Sequence, residues 1–153
     1  MAITRTIMLS IESRPECIEL LSHALHGLCP LLTLSATEMN KIELAMVEAV
    51  NNVVEHAYSF EPIHHIWVEF ELMPERFELR VSDRGQPMPS GRLAEAQGLM
   101  APDPADFDTW TPRTRGLEII KACMDTVDYV VLDGINTLSM SRALNGDGMG
   151  GRV

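Results

Sequence analysis

The sequence predicts an α+β two-layer sandwich, with helices collected on one face of a sheet built from sequential antiparallel strands. Three observations carry this. Two stretches with apolar residues at helical spacing each follow a capping sequence, the period changes to alternation between residues 66 and 82, and two further alternating runs flank Asp133-Gly134. The expected order is strand, two helices, two strands, a long loop, a helix and two strands.

Residues 3–11 supply the first strand. Ser13-Arg14-Pro15-Glu16 has the capping-box form with proline in the first turn, and Ile18, Leu21, Leu25 and Leu28 follow on one stripe, giving a helix that ends near Cys29-Pro30. Ser35-Ala36-Thr37-Glu38 repeats the cap signal ahead of Ile42, Ala45, Val50, Val53 and Ala57, so a second, longer helix should run to about Tyr58. Ile66, Val68, Phe70 and Leu72, then Phe77, Leu79 and Val81, alternate as two strands joined at Pro74-Glu75. A Pro/Gly/Asp-rich stretch, about residues 86–112, has the length of a lid or binding loop. Residues 116–124 are helix-like, and residues 127–132 and 137–144 alternate around the Asp133-Gly134 turn. Residues 1–144 thus form one domain, and the glycine-rich residues 145–153 a flexible tail.

Composition narrows the function classes. At 153 residues, with 46% hydrophobic and 22% charged side chains, the chain can bury one core and is neither fibrous nor disordered. A formal charge of −10 repels a phosphate backbone, which argues against direct nucleic-acid binding and favours a basic protein partner. No apolar run reaches the 18 or more residues of a membrane span, and the N-terminus lacks a signal pattern, so a cytoplasmic location is expected. Cys17, Cys29 and Cys123 are an odd set without a C-x-x-C pair, which fits reduced thiols.

Three features carry chemistry. Glu48 and Asn52 stand four apart on a helix that is apolar around most of its circumference, which stacks them on one face. Alone, such a pair is usually a half-exposed polar patch. Asp83-Arg84-Gly85 ends a strand, where a carboxylate beside a glycine can face a ligand, although Asp-x-Gly is also an ordinary turn. Thr114-Arg115-Gly116-Leu117 opens a helix after the long loop, and helix N-termini offer free N–H groups and a positive dipole end to phosphate. His56, one turn beyond Asn52, is expected to pack or hydrogen-bond, and His23, His26, His64 and His65 to lie on the surface.

In fixed order these features resemble the anti-sigma-factor serine/threonine protein kinases, within the histidine-kinase-like ATPase (GHKL) superfamily. EAVNNVVEHAY at residues 48–58 resembles the family's E-A-V-x-N-x-x-x-H-x-Y helix, and VSDRGQP at residues 81–87 its D-x-G-x-P glycine box. Arg115-Gly116-Leu117-Glu118-Ile119-Ile120 with Met124-Asp125 downstream is similar to the second box, and Asn136-Thr137-Leu138 to the closing strand. Thr114 stands where that box usually begins with glycine, which bears on nucleotide affinity and turnover. Only Lys41 and Lys121 are lysines and no G-x-x-x-x-G-K-[ST] occurs, so a P-loop is excluded.

The resemblance implies a Bergerat-type sandwich with a mixed, mostly antiparallel sheet, and a site for ATP or ADP with Mg²⁺. Asp83 would accept from the adenine amino group with Gly85 leaving room for the base, and Asn52 would place its amide oxygen on the metal. Glu48 would act as general base toward an incoming serine or threonine hydroxyl. Backbone at Thr114, Arg115, Gly116 and Leu117 would cradle the phosphates under the lid, and Thr137 would offer its hydroxyl to the adenine side. The partners implied are a sigma factor, a STAS-fold anti-anti-sigma substrate and a second copy in a homodimer. Two alternatives stand beside the kinase: a nucleotide-binding interaction module with little turnover, and a stand-alone catalytic domain of a phosphorelay.

Overall fold

The computed structural model describes residues 3–96 and 116–144. Five strands, β1 (Arg5–Glu12), β2 (His65–Leu72), β3 (Arg76–Asp83), β4 (Thr126–Leu132) and β5 (Ile135–Ala143), form one sheet in the order β1-β2-β3-β5-β4. All four pairings are antiparallel, so the expected mixed sheet is wholly antiparallel among the described residues. The reason lies in the connections: β2–β3 and β4–β5 are tight hairpins, and β5 slots back between β3 and β4. Met73 N donates to Arg76 O at 2.9 Å across the first hairpin. Asp133 and Gly134 both take positive φ, 51° and 76°, as the two central residues of a type I′ hairpin turn require.

Strand alternation sorts the two faces. Ile66, Val68, Phe70, Phe77, Leu79, Val81, Leu138 and Met140 point to one side and are buried under the helices. Each large side chain buried there contributes about 1.5–3 kcal/mol relative to exposure. The opposite side carries Arg80, which ion-pairs with Glu69, with Glu71 at 2.7 Å and with Glu78 at 2.8 Å. No helix of the described residues is long and apolar enough to cross a membrane.

Helices α1 (Ile18–Gly27), α2 (Ala36–Asn52) and α4 (Gly116–Cys123) cover the apolar face, with a single-turn α3 (Arg92–Glu95) in the loop after β3. The Ser35 cap forms as expected: its hydroxyl accepts from Glu38 N at 3.2 Å, and the Glu38 carboxylate accepts from Ser35 N at 2.9 Å. The Ser13 cap does not form. A 3₁₀ turn, Pro15–Cys17, precedes α1 without a side-chain cap, because the buried Ser13 hydroxyl is spent elsewhere. It donates to Glu61 O at 2.6 Å and accepts from His64 N at 3.2 Å, tying the end of β1 to the segment before β2.

The second helix also departs from expectation, since α-helical hydrogen bonding stops at Asn52 and Val53–Ala57 is a π-helical turn. Tyr58 N donates to Val53 O at 3.0 Å and Phe60 N to Val54 O at 2.8 Å, while Ser59 and Phe60 take positive φ and end the segment. The Ala57 carbonyl accepts from Gln86 N at 2.9 Å, so the wide turn meets the loop after β3. Residues 97–112 of the expected lid and the expected tail, residues 145–153, lie outside the described residues.

Candidate functional site

A cavity of about 660 Å³ opens between α2, the end of β3, the loop at residues 86–90, the first turn of α4 and the inward side chains of β4 and β5. Asn52, His56, Asp83, Gly116, Leu117, Tyr129 and Leu138 are among its lining residues. The helices bring α2 and α4 side by side, and glycine at the first position of α4 lets them approach. A methyl group at Gly116 would lie 3.1 Å from Asn52 Oδ1 and 3.2 Å from Glu48 Oε2. Two oxygen donors therefore converge on the amino end of α4, where unpaired N–H groups and the helix dipole favour negative charge. Burial pushes the Glu48 carboxyl above the usual carboxylate range, toward the poise of a group that takes up a proton.

Asp83 sits at the last position of β3 and is 5% exposed. Its Oδ1 accepts from Gly85 N at 2.9 Å and from the side-chain amide of Asn136 at 2.8 Å. Burial raises its pKa against the opposing pull of these two donors. Gly85 makes a different contact from the one expected at a base: an added Cβ would lie 2.3 Å from Ala57 O and 2.7 Å from Ala57 C. That glycine lets the loop lie on the π-helical turn, backbone against backbone. Gly85→Ala is accordingly expected to destabilise the fold by about 2–3 kcal/mol, since neither backbone can yield, with a lower denaturant midpoint at unchanged slope as the readout.

Thr137 points to the outer side of the sheet, where its hydroxyl lies 3.0 Å from that of its cross-strand neighbour Ser82. The polar side chain of this segment that reaches the site is Asn136, paired in register with Asp83. Thr114 and Arg115 lie outside the described residues. His56 is exposed and lines the cavity, where a packing or hydrogen-bonding role was expected. His23, His26 and His64 each lie beside a glutamate, the closest pair being His26 with Glu43 at 2.7 Å. Two participants had no role assigned from the sequence: Asn136, and Tyr129, whose hydroxyl accepts from Met88 N at 2.9 Å and anchors the loop over the cavity. Strand parity was the available signal, because Tyr129 and Leu138 stand opposite each other on the inward face.

The arrangement suits a flat base with an amino group at the Asp83 end and a polyanion at the α4 end. Asp83, Glu95 and Glu118 line the cavity against Arg92 as the one cationic arginine or lysine among the described lining residues. A polyphosphate entering here needs a cation with it. No cluster of three or more His, Cys, Asp or Glu among the described residues could hold a metal alone. Asn52 Oδ1, a hard neutral oxygen beside Glu48, matches a Mg²⁺ ion that takes its remaining ligands from phosphates and water.

Comparison with known proteins gives the family. Residues 11–142 match the family described as the histidine kinase-like ATPase domain. A serine-protein kinase RsbW from Bacillus licheniformis is 25% identical over 139 residues, covering 91% of this chain and 86% of the relative. RsbW from Listeria monocytogenes serovar 1/2a is 28% identical over 141 residues, covering 91% and 87%. The crystal structure of the RsbU and RsbW domains of Rv1364c from Mycobacterium tuberculosis superposes with a TM-score of 0.63 at 18% identity, covering 91% of this chain and 32% of that one. The match over nearly the whole folded region, on a sheet and helices that carry the expected architecture, makes this chain a member of the histidine kinase-like ATPase domain family.

Proposed function

We propose that this protein is an ATP- and Mg²⁺-dependent serine/threonine kinase that also acts as an anti-sigma factor, binding a sigma factor and phosphorylating a STAS-fold anti-anti-sigma protein in the cytoplasm. The observation that carries it is that Asn52, Asp83 and the first turn of α4 line one cavity, with the Glu48 carboxylate beside Gly116 at its edge. The similarity to proteins named serine-protein kinase, over nine-tenths of the chain, supports the reaction class.

In this reading Asp83 Oδ2 faces the adenine amino group, while Oδ1 stays with its two internal donors. The amino end of α4 and the backbone around Thr114, Arg115, Gly116 and Leu117 receive the phosphates. Asn52 would hold Mg²⁺, which would supply positive charge against that of the phosphates. Glu48, one helical turn from Asn52, takes the proton of the incoming hydroxyl, and its raised pKa suits that step.

Incubation with γ-labelled ATP, Mg²⁺ and a STAS-fold partner should transfer label to a serine or threonine of that partner. In parallel, ADP with Mg²⁺ should raise the melting temperature progressively with concentration, because only the folded state offers the site. Label on the partner supports the kinase; a stable complex and a thermal shift without label would favour the interaction module, to which Thr114 inclines. Label appearing on a histidine or aspartate would favour the phosphorelay domain. No thermal shift and no label would overturn the nucleotide site.

A further inference from the structure

We infer that Asn136 is a positioning residue for nucleotide recognition: its side-chain amide clamps the Asp83-to-Gly85 turn so that Asp83 presents its second oxygen to the base. The inference rests on the nucleotide reading of the cavity and names a residue that reading does not include.

Asn136 is 1% exposed and stands directly across from Asp83 in the β3–β5 ladder. Its Nδ2 donates to Asp83 Oδ1 at 2.8 Å and to Gly85 O at 3.0 Å. Both partners are acceptors only, so the amide cannot be turned the other way without setting oxygen against two oxygens. Gly85 N donates to the same Asp83 Oδ1 at 2.9 Å. The three bonds lock the carboxylate plane and both ends of the turn. They use one carboxylate oxygen twice and leave Oδ2, on a side chain that lines the cavity, without a partner among the described residues. A carboxylate free to rotate would divide its time between orientations and lose affinity for a directed donor.

The test compares ADP with inosine diphosphate, which carries a carbonyl in place of the adenine amino group and so sets an acceptor where Asp83 needs a donor. Calorimetry on the full chain with Mg²⁺ gives both dissociation constants for the unsubstituted protein, Asn136→Ala and Asn136→Ser. Loss of the clamp should weaken ADP about tenfold and leave inosine diphosphate within about twofold, so that discrimination collapses. A role confined to fold integrity would weaken both nucleotides equally and leave the ratio unchanged, which would overturn the inference, as would unaltered ADP affinity. Should neither variant fold, the ¹⁵N side-chain amide signal of Asn136 in the unsubstituted protein replaces them. It should shift on ADP binding and shift less with inosine diphosphate, and equal shifts would refute the role. Failure of the unsubstituted protein to bind ADP at all overturns the nucleotide reading instead, and that outcome differs visibly from binding without discrimination.

Discussion

Glu48→Gln is expected to bind ADP with Mg²⁺ within about twofold of the unsubstituted protein while losing about 10²- to 10⁴-fold in phosphoryl transfer, the span ascribed to a general base. The substitution is nearly isosteric. It keeps an oxygen beside Gly116 and Asn52 and removes only the capacity to take a proton. A change confined to kcat, measured by single-turnover transfer to the partner, identifies the base; full activity in the variant would remove Glu48 from the chemistry. The pH profile carries the same signature. Burial raises the Glu48 pKa, and the base works only when ionised, so transfer should fall as pH drops, beginning at a higher pH than for a solvent-exposed glutamate. That limb should vanish in the Gln variant.

Asp83→Asn should do the reverse, weakening ADP about 10- to 100-fold while leaving the fold at least as stable at neutral pH. Asparagine retains Oδ1, so the bonds from Gly85 N and Asn136 Nδ2 survive. What changes is the cavity side, where an acceptor becomes a donor facing the adenine amino group. The stability follows from linkage. The folded-state pKa of Asp83 is raised, so its favourable contribution is complete below the unfolded pKa and is lost as pH rises through the folded value. At neutral pH the ionised, buried carboxylate is therefore a burden on the fold that asparagine relieves. Calorimetry and thermal melting on the same sample check both halves, and unchanged affinity would place the base elsewhere.

Much of this molecule was legible from residue order because local signals agreed with the fold. The Ser35 cap, the two hairpins and the alternation from Ile66 to Val81 each depend on neighbours a few positions away. Three of the departures involve distant partners. Ser13 carries a cap motif, yet a carbonyl 48 residues downstream captures its hydroxyl. Gly85 looks like a ligand-facing glycine, yet what it avoids is the Ala57 backbone. The Asn136-Thr137 pair illustrates parity: a motif places both residues at the right point along the chain, and only the pairing with β3 decides which of them faces Asp83. The convergence of Glu48 with Gly116 was legible in outline because motif order survives where single motifs are weak.

The five-residue turn at Val53–Ala57 has a consequence for anyone drawing this helix on paper. A wheel continued at 100° per residue past Asn52 slips out of phase, because the hydrogen bonds there close one residue later. Alanine-scan results on either side of Asn52 therefore belong in two separate angular frames, and a stripe that looks continuous from Glu48 to His56 on a projection is two stripes on the protein.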